Sequence, residues 1–207
     1  MPKSKKTNPE IEIKLRITAI PTILHNINSL GAKTQGRVRE QNTLYDTPQS
    51  DLRRRKMLLR LRIETPTTPN ARFTSSERVI LTTKAPLPAP HKKNRPPRYK
   101  ERAEREQVVT KSSRQTAAAL IALGFRPAFH YDKFRTTFRL PNLHLDLDET
   151  PAGTFLELEG EPKAIDRAAQ ALGFTKKAYL RSTYWELYAA DCRRRGTNPK
   201  NMLFPAK

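Results

Sequence analysis

Charged residues recur at every second position along several segments of the chain, and they fall into two chemical sets. Glu10 and Glu12 share a phase with Lys14, Asp146 with Asp148, and Glu157 with Glu159. Arg60 and Arg62 repeat the spacing with cations, as do Lys133 and Arg135 and the run Arg98, Lys100, Arg102, Glu104, Glu106. In an extended strand a spacing of two puts side chains on one face. Paired carboxylates are oxygen ligands for a hard divalent cation, Mg²⁺ or Mn²⁺. Arginine and lysine are partners for phosphate oxygens. Carboxylates and cations facing one enclosed space therefore imply a polyphosphate held together with a metal, because the carboxylates alone would repel that anion.

Taken one strand at a time, each pattern is equally that of a solvated sheet face. The combination is not. Glu-x-Glu pairs stand in the first and last strands and Arg or Lys in the middle ones, whereas a surface built only for solubility mixes signs within strands and charges its loops as well. The apolar partners of the alternation, Ile11, Ile13, Leu59, Leu61, Leu156 and Leu158, then pack outward against helices.

The elements that position these residues are mostly short strands. Alternation predicts strands over 10–17, 37–45, 57–64, 78–84, 98–109, 131–140, 142–148 and 154–159. A turn falls at Asp46–Asp51 and a hairpin around Pro141. Helices are expected over 22–30, framed by Pro21 and Gly31, over 113–123 before Gly124, and over 163–172 and 179–195. The segments 65–76 and 86–97, rich in Pro and basic residues, read as solvated insertions. Eight antiparallel strands of this length close into a barrel or fold as a sandwich. A basic, disordered arm over 1–8, one domain over 9–195 and a loose tail over 196–207 complete the expected organisation.

Formal charge is +20 over 207 residues, with 40 basic and 20 acidic side chains, so an anionic partner is expected. The single cysteine, Cys192, excludes an internal disulfide, and no apolar run approaches the ~20 residues of a membrane span. With no apolar stretch of a signal peptide at its start, the chain is expected in the cytoplasm. His25, His91, His130 and His144 lack metal-ligand spacing, and no glycine-rich phosphate loop is present, so any phosphate grip must come from side chains. Trp185 and Tyr188 stand at helical spacing, as core contacts do.

Glu10-x-Glu12-x-Lys14 is the signature of the CYTH superfamily, the triphosphate tunnel metalloenzymes, and the chain resembles that family in order over residues 10 to about 190. The matching stretches are Tyr45-Asp-Thr-Pro48 with Asp51-Leu-Arg, Leu59-Arg-Leu-Arg62, Leu81-Thr-Thr-Lys84 and Arg102-x-Glu104-x-Glu106. They continue with Leu147-Asp-Glu-Thr-Pro-x-Gly153, Phe155-Leu-Glu-Leu-Glu159 and, with one residue inserted, Ser182-Thr-Tyr184-Trp-Glu-Leu.

The resemblance implies an α+β fold: a closed eight-stranded antiparallel β-barrel with helices packed outside. It implies that Glu10, Glu12, Glu157 and Glu159 lie near the metal, and that Lys14, Arg60, Arg62, Lys84, Arg102, Lys133 and Arg135 grip phosphates. Glu104, Glu106 and Asp148 would complete the acidic side, at a second metal or at the nucleophilic water, and Lys176 or Lys177 would close over the mouth. The expected activity is metal-dependent hydrolysis of a small-molecule triphosphate, inorganic triphosphate first. A class IV adenylyl cyclase or a thiamine triphosphatase would use the same tunnel. A non-catalytic polyphosphate- or RNA-binding module is the alternative outside catalysis; nucleic acid is allowed by the charge but not required. No membrane partner is expected, and monomer and homodimer both stay open.

Overall fold

The computed structural model describes residues 9–67, 77–87 and 99–205. The arm 1–8 and most of the two long insertions lie outside these residues. Eight antiparallel strands form a closed barrel, β1 (Glu10–Ile17), β2 (Lys33–Asp46), β3 (Leu58–Pro66), β4 (Arg78–Pro86), β5 (Lys100–Val109), β6 (Arg126–Leu140), β7 (Leu143–Thr150) and β8 (Gly153–Gly160). Their order around the wall is β1-β5-β4-β3-β2-β6-β7-β8. Each of these strands therefore has a neighbour on both sides.

Among the described residues five α-helices complete the fold, α1 (Ile20–Ser29), α2 (Asp51–Arg54), α3 (Ser113–Ala122), α4 (Pro162–Ala171) and α5 (Tyr184–Arg194), with a short 3-10 turn at Lys176–Ala178. The apolar phase of β1, β7 and β8 points outward. Ile13, Leu15, Leu145, Leu147, Leu156 and Leu158 pack there with Ile23 and Ile27 of α1 and Ile165 and Ala169 of α4. Each such aliphatic side chain, buried in full, contributes about 1.5–3 kcal/mol. A second outer core gathers Leu59, Leu61 and Val79 with Leu120 of α3. The helices therefore cover the outside of the wall, and the charged phase is left to face inward.

A third cluster lies at one end of the barrel, where the inward phase changes character. Tyr131 and Phe129 continue the face of Arg135 and Lys133, and Phe155 that of Glu159 and Glu157. These rings pack with Tyr184 and Leu187 of α5. The helix expected from residue 179 begins at Tyr184 instead. Thr183 and Glu186 form a reciprocal capping box, with Glu186 N donating to Thr183 Oγ1 at 3.2 Å and Thr183 N to Glu186 Oε2 at 2.7 Å. Leu180 is taken by the sheet, exchanging backbone hydrogen bonds with Lys14 at 2.8 and 2.9 Å. The turn expected at 46–51 runs into α2, which alternation could not show in four residues.

The tail expected to be loose is docked. Met202 N donates to His130 O at 2.9 Å, and Asp132 N donates to Met202 O at 2.9 Å. Met202 is fully buried, and Phe204 lies against Phe134, ring centroids 5.2 Å apart. The cause is topological: β7 pairs with β6 only from Phe134 onward, so residues 129–132 keep backbone groups that another segment can satisfy. No helix among the described residues is long and apolar enough to cross a membrane. Met202→Ala is expected to lower stability by about 2–5 kcal/mol, read as a lower midpoint of thermal unfolding. An unchanged midpoint would mean the tail does not hold the wall.

Candidate active site in the barrel lumen

The strands enclose a cavity of about 890 Å³. Its wall carries nine basic side chains: Lys14 of β1, Arg60 and Arg62 of β3, Arg78 and Lys84 of β4, Lys100 and Arg102 of β5, Lys133 and Arg135 of β6. Glu10, Glu12, Glu40, Asp46, Glu64, Glu104, Glu106, Asp146, Glu157 and Glu159 face them. All seven residues expected to grip phosphate and all four expected near a metal line this one space, as do Glu104 and Glu106. Lys176 and Lys177 do not; Lys176 is an ion-pair partner of Asp166 on α4.

Charges this far from water persist only when paired. Lys14, fully enclosed, reaches Glu12 at 3.1 Å and Glu157 at 2.9 Å. Lys84 reaches Glu10 at 2.6 Å and Glu104 at 3.0 Å, and Lys100 reaches Glu12 at 2.5 Å. Arg60 donates to Glu106 at 3.2 Å, which also accepts from Thr82 Oγ1 at 2.9 Å. Burial alone would raise the carboxyls of Glu12 and Glu157, but Lys14 first of all outweighs it, and both stay below the ordinary range. Lys100 is lowered to about 8 by burial and by the nearby ammonium of Lys14.

Asp148 was expected on the acidic side, at a second metal or at the nucleophilic water; it is fully buried and does not line the cavity. Arg135 grips it with two nitrogens at 2.7 and 2.6 Å, Lys133 donates to it at 2.8 Å, and Tyr184 Oη donates at 2.5 Å. With both oxygens engaged it holds Lys133 and Arg135 in place. Period-two alternation places it on the lumen face; only packing shows that Tyr184 covers it.

Several lumen residues were given no role by sequence. Glu40, fully buried, stands 3.4 Å from Arg62 and Lys133 and 3.6 Å from Arg135, yet neither oxygen has a hydrogen bond. Burial would raise its carboxyl, but Arg62 and then Lys133 and Arg135 hold it low. Its signal was the phase Val38, Glu40, Asn42, Leu44 in a strand, 37–45, to which no site residue was assigned. Glu64 and Arg78 sit at strand ends. Lys100 and Asp146 shared a face with the chosen residues. Tyr184 lies under the ammonium groups of Lys14 and Lys133, 5.3 and 5.0 Å from its ring centre.

The two ends of the carboxylate row differ. Glu159 makes no hydrogen bond or ion pair among the described residues, and burial followed by the charge of Glu10 raises it to about 7. Glu10 is also raised to about 7, by burial against the opposing pull of Lys84, with Glu12 and Glu104 adding repulsion. Among the described residues no three carboxylates or imidazoles form a ready ligand set. The donor chemistry nonetheless fits a hard divalent cation at Glu10 and Glu159, two oxygen donors whose mutual repulsion such an ion relieves. Glu12 and Glu157 are committed to Lys14.

The CYTH domain family model matches residues 8–182. No curated protein matches the chain. Among solved structures the chain is similar to a Vibrio parahaemolyticus protein proposed to be an adenylate cyclase, at 18% identity and TM-score 0.69, over 88% of this chain and 98% of that one. It is similar to a Pyrococcus horikoshii protein at 25% identity and TM-score 0.67, over 86% and 98%. It is also similar to a Hippeastrum protein described as a proposed adenylyl cyclase with a dominant triphosphatase activity, at 18% identity and TM-score 0.53, over 92% and 97%. These likenesses show a shared barrel.

The raised carboxyls predict a pH dependence. Between about 4.5 and about 7, folded Glu10 and Glu159 keep protons that the unfolded chain has released, so their contribution to stability falls as pH rises through this window. Glu159→Gln removes one of the repelling charges. Without metal, its melting temperature relative to the unsubstituted chain is expected to rise from pH 5 to pH 8. A difference independent of pH would remove the assignment.

Proposed function

The chain belongs to the CYTH domain family, and from that premise we propose that it is a divalent-metal-dependent phosphohydrolase that cleaves a triphosphate, inorganic triphosphate first, inside the barrel. The observation that supports this reading is the layout of the wall. β3, β4, β5 and β6 present Arg60, Arg62, Lys84, Arg102, Lys133 and Arg135 to the same enclosed space into which β1 and β8 present Glu10, Glu12, Glu157 and Glu159.

In this reading the cations bind and orient the phosphates. Arg60, Arg62 and Arg135 offer planar donor forks, while Lys14 is a point charge fixed by two carboxylates and by the sheet on both sides. Arg102 makes no ion pair among the described residues, so a phosphate meets it without displacing a carboxylate. Asp148 is a positioning residue that acts through Lys133 and Arg135. Glu104 and Glu106 are the carboxylates on the cationic side, able to orient a water and take its proton. Mg²⁺ or Mn²⁺ held by Glu10 and Glu159, with Glu12 and Glu157 beside it, would supply the positive charge that lets a polyanion lie against four carboxylates. Fixed charges aimed at a transferring phosphoryl group do most of the work in such reactions.

The test is a product assay with inorganic triphosphate, ATP and thiamine triphosphate, each with Mg²⁺, with Mn²⁺ and with chelator. Metal-dependent phosphate release, fastest from inorganic triphosphate and abolished by chelator, is expected. Cyclic AMP and pyrophosphate from ATP would make the same lumen a cyclase, and metal-independent polyanion binding without turnover would overturn catalysis. Glu12→Gln is expected to lower kcat at least about 100-fold with the fold retained by circular dichroism. Arg60→Ala is expected to raise KM, and an unchanged KM would argue against a phosphate contact there.

A further inference from the structure

The lumen does not account for the charge of this chain. Nine basic side chains borne by its strands face ten acidic ones, so the whole excess of +20 lies off the strand wall. A dense part of that excess is the run Arg53-Arg54-Arg55-Lys56, on α2 and just after it, and all four side chains are exposed. Arg54 pairs with Asp51 at 2.5 Å; Arg55 and Lys56 make no ion pair among the described residues.

This run is held in place. The carboxylate of Asp46 accepts hydrogen bonds from the backbone nitrogens of Thr47, Leu52 and Arg53 at 2.7, 2.9 and 3.0 Å. Ser50 and Lys56, at φ 59° and 56°, bracket it, and they are the two non-glycine residues with left-handed backbone among the described residues. Such residues take that conformation at a cost of order 1–3 kcal/mol and persist only where the surroundings fix them. The guanidinium of Arg53 lies over the ring of Trp185, 5.8 Å from its centre, and Trp185 meets Phe129 edge-on at 4.9 Å. Arg53, Lys56, Phe129 and Trp185 border the opening of the lumen beside α2.

We propose that this rim is a binding surface for single-stranded nucleic acid, distinct from the phosphate grip inside the barrel. Contiguous cations on a fixed turn track a phosphate backbone. The stack of Trp185 and Arg53 offers an unpaired base a planar surface on which to continue, as arginine and aromatic faces do in single-strand recognition. A duplex keeps its base faces stacked, and inorganic polyphosphate has no base. The proposal does not depend on hydrolysis.

Trp185 is the only tryptophan in the chain, so its emission reports on the rim alone. The full chain, without metal or triphosphate, is titrated with a 20-nucleotide single-stranded RNA of mixed sequence, with inorganic polyphosphate of equal charge and with phosphatidylglycerol vesicles. RNA is expected to bind with quenching of Trp185, and polyphosphate more weakly with emission unchanged. The combined Arg53→Gln, Arg55→Gln and Lys56→Gln variant is expected to lose affinity at least tenfold and to lower the slope of log affinity against log salt by about 2. Arg53→Lys, which keeps the charge and loses the plane, is expected to lose the quenching with most of the affinity retained. Glu159→Gln is expected to bind RNA as the unsubstituted chain does, which separates this proposal from the catalytic one. RNA binding undiminished in the triple variant, polyphosphate binding as tight as RNA with no change at Trp185, or binding of vesicles but not RNA would each overturn it.

Discussion

A buried charge needs a partner, and this barrel is built around that requirement. Removing an ion from water costs several kcal/mol even after relaxation, and the strands bring nineteen acidic and basic side chains to one space. They are tolerated because nearly all of them are shared. Lys14 serves two carboxylates, Lys84 two more, and Arg135 is divided among Asp146, Asp148 and Glu157. A triphosphate entering this network competes with carboxylates for cations already engaged. The carboxylates it displaces need compensation in turn, which is the physical reason to expect a divalent cation with the substrate rather than the anion alone.

The rest of the fold supports that inverted wall. Since the charged phase points inward, the leucine and isoleucine phase must be covered from outside, and α1, α3 and α4 cover it. One end of the lumen is instead lined by Phe129, Tyr131 and Tyr184, which pack with Phe155. This aromatic cluster joins the two chemistries, because Tyr184 packs among rings, donates to Asp148 and underlies the ammonium groups of Lys14 and Lys133. α5 is thus connected to the cations it covers, and its start at a capping box fixes where that tyrosine stands.

Charge balance inside the barrel also separates two roles that net charge alone merges. A pI near 10.5 fits either a polyanion in a pocket or a polyanion on a surface. The strand wall carries no net positive charge by count, so the excess belongs to the exterior and the insertions. The lumen converges charge in a confined volume, and the rim beside α2 has extended charge next to an aromatic face. Glu40 adds a constraint within the lumen: an unbonded carboxylate among Arg62, Lys133 and Arg135 keeps three cations clustered that would otherwise repel one another.

The sequence by itself determined the eight strands and which residues share a face, because a period of two assigns side chains to faces without knowledge of neighbours; that spacing left barrel and sandwich open, and closure was implied only by the resemblance to a family. It placed the arginines and glutamates in one space because the phase was consistent along strands such as Arg60-Leu61-Arg62 and Glu157-Leu158-Glu159. Only the tertiary structure decided which wall residues meet solvent and which are sealed. Asp148 and Asp146 share a phase, yet Tyr184, thirty-six residues later, covers Asp148. The tail shows no periodicity, so nothing local assigned its Met202-Leu203-Phe204 a partner; the side of β6 that β7 leaves free at residues 129–132 made it part of the wall. Pairing between distant segments is not written in the spacing of either one, and it decided which charges hold the site and which remain to act.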